Sequence, residues 1–270
     1  MRRSVASIAL LGWVATASEA ASGSWQPAAP FKIVPEAHRC VATAAFVRGE
    51  QNLVLAIESH PSTLDYEMRL YAPGDLNGRP WLQGKYSLGS ARLEREWVVA
   101  RASTRAGTLI YTMDITKPAL QSAGPNPVLK IRGMPTANEV TITGLEAAVS
   151  QLGACSANLL EGWGYSRDAQ SAIASYAKPM KRIGSYASPS DYPKSALSSG
   201  AEGNTYALID VGIDGRSTNC RVIRSSGNQE LDRATCSIVT KRARYDPAKN
   251  ERGDAVPAPY YLSFHWEIAK

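Results

Sequence analysis

Four cysteines and three histidines head the residues of this chain that could do chemistry. Cys40, Cys155, Cys220 and Cys236 form no CxxC pair, which argues against a thioredoxin-type redox centre and a zinc knuckle. His38, His60 and His265 are far apart in sequence, and no HExxH accompanies them. No metal and no cofactor is expected. The Ser175–Lys178 stretch "SYAK" matches S-x-x-K, but no K-T-G follows it. "SAN" at 156–158 lies upstream of it, the reverse of the penicillin-binding order. G-x-S-x-G, the Walker loop and G-x-G-x-x-G are all missing from the sequence. The acidic pairs Asp210/Asp214 and Glu230/Asp232 read as turn and helix-start residues. His265 reads as an exposed strand residue. Lys241, Arg242 and Arg244 read as a solvated helix end that could also meet an acidic partner. These residues therefore predict no enzyme. What they leave is structural cross-linking and partner binding.

The cysteine reading rests on the compartment. Arg2 and Arg3 precede an uncharged run of residues 4–18, and Glu19 closes it. A membrane span needs about 20 apolar residues, so residues 1–20 read as a secretory signal peptide cleaved after Ala17 or Ala20. An uncleaved anchor is the alternative. No other segment is apolar enough to span, so the mature protein is expected to be soluble and exported. In an oxidising compartment four cysteines read as two disulfides. Three pairings are open, and the spacing favours Cys40–Cys155 and Cys220–Cys236.

The elements that must position these residues follow from periodicity. The chain has 270 residues, 44% of them hydrophobic, which is enough for one large or two ordinary domains. Its net charge of +6 is spread thinly: residues 190–270 carry 11 Lys/Arg against 10 Asp/Glu. No dense basic face exists, and nucleic acid is excluded as a partner. Residues 21–163 read as a β-rich domain. Leu53, Leu55 and Ile57 share one face of a strand, as do Leu64, Tyr66, Met68 and Leu70, and again Leu109, Tyr111, Met113 and Ile115; such alternation marks half-buried antiparallel strands. A helix from Leu145 to Trp163 closes this domain, with Leu145, Val149, Leu152, Ser156, Leu159 and Trp163 at helical spacing. Residues 164–190, rich in Ser, Ala, Gly and Pro, read as a linker.

Residues 191–270 read as a small β–β–α–β module, so the predicted class is α+β. Ala207, Ile209, Val211 and Ile213 alternate in the first strand. Asp214-Gly215 turns the hairpin. Asn228 caps a helix with the stripe Leu231, Ala234, Thr235, Ile238 and Val239, and Pro247 ends it. Tyr260, Leu262, Phe264, Trp266 and Ile268 alternate in the last strand.

The module closely resembles the C-terminal domain of the TonB family. The resemblance rests on Tyr192, Pro193, Ala196, Gly200, Gly203, Val211, Asp214, Gly215, Arg216 and Val222, then Ser225, Ser226, Gly227, Leu231, Asp232 and Ala234, and finally Tyr245, Pro247 and Ala248. It implies a Gram-negative envelope protein whose C-terminal domain grips a short transporter peptide as an added β-strand. The family's permanent membrane helix and long proline-rich rod are replaced here by a signal peptide and a folded domain. The leading reading is therefore a periplasmic adaptor binding an envelope protein or an outer-membrane transporter peptide. Two others stay open: a true energy transducer coupled to an inner-membrane proton-driven motor, and an enzyme seated in the N-terminal domain. Partner docking is expected on the outer edge of the last strand, with Tyr261, Ser263 and His265 on its open face. The linker, or a second copy in a dimer through that strand, is the alternative occupant, and Lys241–Arg244 is the alternative site.

Overall fold

Alternating burial runs through nearly every segment read as a strand, and almost all pairings between strands are antiparallel. A computed structural model describes residues 25–62, 65–93, 96–134 and 139–268. The expected signal peptide, and Leu64, lie outside these residues.

In the N-terminal half the strands are β1 (Gln26–Pro27), β2 (Lys32–Pro35), β3 (Cys40–Arg48), β4 (Gln51–Ser59), β5 (Asp65–Pro73), β6 (Leu82–Leu88), β7 (Trp97–Ala102), β8 (Thr108–Thr116), β9 (Val128–Arg132) and β10 (Glu139–Thr141). They form one sheet in the order β1-β3-β4-β5-β8-β7-β6-β9-β10, with β2 beside β1 on the edge of β3. Trp25 bridges Val140 in parallel, bringing the two ends of the sheet together as a barrel. The alternating residues point inward: Leu53, Leu55, Ile57, Met68, Leu70, Leu109, Tyr111 and Met113 are all buried in one core. A short helix, α1 (Lys117–Gln121), follows β8, and a long one, α2 (Leu145–Gly162), ends this half. α2 lies against β2 and β3 and buries Leu145, Ala148, Val149, Leu152 and Leu160. The Cys40–Cys155 disulfide ties it to the start of β3.

Residues 164–190 differ from the linker reading. They hold α3 (Arg167–Ser171), β11 (Lys178–Pro179) and 3-10 turns at Ile183–Tyr186 and Pro189–Asp191. The amides of Ala174 and Ser175 donate to the carbonyl of Lys249 at 2.8 and 3.0 Å. Ala177 is buried, and Ile173, Ile183 and Tyr186 pack on a second core. The segment is a strap laid over the C-terminal half. Its small, polar composition is that of a chain whose bonds go to another segment rather than to itself, and composition alone does not separate this from a tether.

The C-terminal half contains α4 (Lys194–Ser198), β12 (Gly203–Val211), β13 (Ser217–Arg224), α5 (Gln229–Lys241), β14 (Tyr245–Asp246), β15 (Ala248–Lys249), β16 (Ala255–Val256) and β17 (Ala258–Trp266). β14 pairs with β11, and β15 with β16. The main sheet has the order β13-β12-β17. α5 covers one face, burying Leu231, Ile238 and Val239 against Ala207, Ile209, Val211, Leu262 and Phe264. The Cys220–Cys236 disulfide fastens α5 to β13.

Candidate functional site

β12 is the central strand, so among the described residues β17 has one edge without a strand neighbour. The register from Gly203↔Trp266 to Val211↔Ala258 is unbroken. The phase of its hydrogen bonds is fixed by one contact: the Tyr261 amide donates to Ser62 Oγ at 2.7 Å and therefore points away from β12. Antiparallel strands exchange bonds at alternate residue pairs. Tyr260, Leu262 and Phe264 thus bond to β12, while Pro259, Tyr261, Ser263 and His265 turn their backbone groups outward. Pro259 has no N–H to offer, and the Tyr261 N–H is already used. The open part of the edge is therefore Ser263 to His265. Both side chains are exposed, and His265 Nδ1 lies 2.8 Å from Asn204 Oδ1.

Tyr261 corrects the expectation of a fully open face. Only 4% of it is exposed, because the sheet face opposite α5 is packed against the barrel. Two barrel segments reach it: residues 36–39, which lead into β3, and residues 60–62, which leave β4. The His38 ring lies 4.4 Å from that of Tyr206, and the His60 ring stacks on Tyr261 at 5.4 Å. Arg224 sits over the other side of Tyr206. Below the rings runs a chain of charges. Arg39 donates to Glu36 at 2.7 Å and pairs with Glu58, and Arg69 bonds Glu58 at 2.8 Å. Burial pushes the Glu58 carboxyl up, against the pull of Arg39 and Arg69. Burial also drives the imidazoles of His38 and His60 down to about 4, helped by the nearby Arg39. Both histidines are held neutral between the two cores. Further along, Tyr165 donates to Asp210, and Arg221 donates to the Trp163 carbonyl at 2.6 Å.

Sequence reasoning missed this junction. Its residues come from distant stretches, and scattered histidines carry no motif. The available signal was Tyr206, Leu208 and Tyr261: three large side chains alternating with a core face that was already complete.

The basic run at the end of α5 is engaged within the chain. Arg242 makes two bonds to Asp191, at 2.6 and 2.7 Å, and holds its carboxyl well below the usual range. Arg244 donates to the Ala243 carbonyl at 2.7 Å. Lys241 is exposed.

The residues that carry the family resemblance have structural roles. Asp232 is almost fully buried and accepts from Thr205 Oγ1 at 2.8 Å, Ser225 Oγ at 2.5 Å and the Ser226 amide at 2.9 Å. Burial pushes its carboxyl up, but these donors outweigh it and leave it below the ordinary value. Asn228 caps α5, accepting from the Glu230 amide at 2.9 Å. Gly227, beside this cap, donates its amide to Ser225 Oγ at 3.0 Å. Gly215 has φ +71°, and a Cβ there would strike the Tyr245 carbonyl. In the same turn Asp214 accepts from the Arg216 amide at 3.0 Å. Tyr192 packs edge-on against Trp266 and donates to the Ala201 carbonyl at 2.5 Å. Pro193 is the N-cap of α4, and Gly203 opens β12. Leu231 and Ala234 face the core beneath α5, and Pro247 separates β14 from β15.

Among the described residues, no group of three or more His, Cys, Asp or Glu is arranged to hold a metal ion. Among them, too, no helix is long and apolar enough to cross a membrane. No curated protein matches the chain. Residues 188–268, which include β12, β13, α5 and β17, match the family described as Gram-negative bacterial TonB protein C-terminal, a protein-interaction domain of the Gram-negative envelope.

Proposed function

We propose that this is an exported periplasmic adaptor whose C-terminal domain, residues 191–270, binds an extended segment of an envelope protein by strand addition to β17. The observation that carries the reading is the outward backbone of Ser263 and His265, which is exposed and flanked by no lysine or proline. Natural sheets usually blunt such an edge, and an unblunted one is a template for an added strand. The match of residues 188–268 supports a transporter peptide as the occupant. Residues 21–163 form a separate domain in this reading, and the strap at 164–190 joins the two. Among the described residues, the cluster of titratable groups around Glu58 lies on the barrel side, with Glu58 itself 3% exposed.

Ser263→Pro is the test. Its N–H faces away from β12, so the substitution removes a donor from the open edge and none from the sheet. Photo-crosslinking in whole cells is expected to lose its adduct, with the circular dichroism spectrum unchanged. If the adduct survives in a folded variant, the edge is not the site, and exposed Lys241 becomes the next candidate.

A further inference from the structure

The edge of β17 is not equally open along its length, and the barrel is the reason. Ser62, in the turn after β4, has φ +64°, a left-handed conformation rare for a residue with a side chain. It is 3% exposed, and its Oγ accepts from the Tyr261 amide. Residues held in such conformations persist only where their surroundings impose them. Next to it, Pro61 is buried and His60 stacks on the Tyr261 ring. An added strand that reached Tyr261 would have to displace all three.

We infer that Ser62 is a register stop: it occupies the Tyr261 N–H, so that a partner strand pairs with Ser263 and His265 and goes no further along β17. This inference rests on the strand-addition reading and adds to it the point where the added strand ends. Period-two alternation makes that point decisive, because a shift of one residue would turn every partner side chain to the opposite face. The barrel therefore selects which partner side chains meet Ser263 and His265, although it contributes none of the pairing backbone.

Two measurements on the full chain test it. The first is amide hydrogen exchange without any partner. The Tyr261 amide should exchange about tenfold more slowly than those of Ser263 and His265. Ser62→Gly, which suits the positive φ and removes the hydroxymethyl group that holds the Tyr261 amide, should erase that difference with the circular dichroism spectrum unchanged. Equal exchange in the unaltered protein would overturn the inference. The second is whole-cell crosslinking from a photoreactive residue at Glu267 or at Pro257, exposed positions beyond the two ends of β17. An adduct is expected from Glu267 alone, and from both positions in Ser62→Gly. Adducts from both in the unaltered protein would remove the stop and leave strand addition standing. Adducts from neither would overturn strand addition, and the stop with it.

Discussion

Replacing His38 by Phe should raise the stability of the protein and flatten its dependence on pH. The side chain is 2% exposed, and neither ring nitrogen has a hydrogen-bond partner. Phe therefore keeps the ring contact with Tyr206 and leaves no polar group unsatisfied, whereas the imidazole is buried at a cost. The sign follows from its titration. The imidazole is lowered to about 4 in the folded chain from an ordinary 6.5, so the unfolded chain binds the extra proton between those values. Its contribution is fully present above pH 6.5 and is lost as the pH falls toward 4. Between pH 7.5 and 5.5 the linkage relation gives a loss of about 1.4 kcal/mol from this one group. The groups facing His38 are Glu36 and Arg39 beside it in the chain, Tyr206 on β12 and Arg224 on β13; the carboxylates titrate mainly below this window. His60, also lowered to about 4, acts in the same direction. Urea unfolding at the two pH values measures the effect. The unaltered protein should lose at least that amount, and His38→Phe should lose about 1.4 kcal/mol less. Equal losses in the two proteins would refute the argument, as would a His38→Phe chain much less stable at pH 7.5.

Replacing both Cys220 and Cys236 by Ala should cost about 3 kcal/mol, the chain-entropy value for so short a loop, and a reducing agent, which also opens Cys40–Cys155, should cost the unaltered protein more than it costs this variant. The comparison is made by urea unfolding, and no change on reduction would refute the link. Asp232→Asn should cost about 2 kcal/mol, because an almost fully buried charged acceptor of three hydrogen bonds becomes a neutral one. Thermal unfolding measures it, and the penalty should shrink below the carboxyl's unfolded value near pH 4, since the group is lowered in the folded state.

The elements of each half were largely legible because their signals are local. Strict alternation from Tyr260 to Trp266 marked β17, and the stripe from Leu231 to Val239 marked α5. The cysteine pairs were legible because each lies within one half, close to a helix that needed a fastening. The barrel's closure was not: the parallel bridge from Trp25 to Val140 joins residues at opposite ends of the sheet, and alternation carries no information about which edges meet. The strap at 164–190 was misread because its order is imposed by Lys249 and Arg244, whose carbonyls it bonds. The free edge of β17 was legible, but how much of it is open was not. Tyr261 alternates correctly for an exposed residue, and it is Ser62 and His60, about two hundred residues away, that help take it out of solvent.

The two disulfides and the junction between the cores act on different events. Cys40–Cys155 fastens α2 to β3, and Cys220–Cys236 fastens α5 to β13; each lies inside one core, and neither crosses the junction. What crosses it includes the bonds of Ser62 to Tyr261, Tyr165 to Asp210 and Arg221 to Trp163, with the two histidine–tyrosine contacts. Interfaces of this polar kind within a chain hold less firmly than cores. Protonating His38 and His60 opposes the junction, because each imidazolium would sit buried near Arg39. It leaves both cross-linked cores intact. Acid between pH 6.5 and 4 therefore opposes the contacts of His38 with Tyr206 and of His60 with Tyr261.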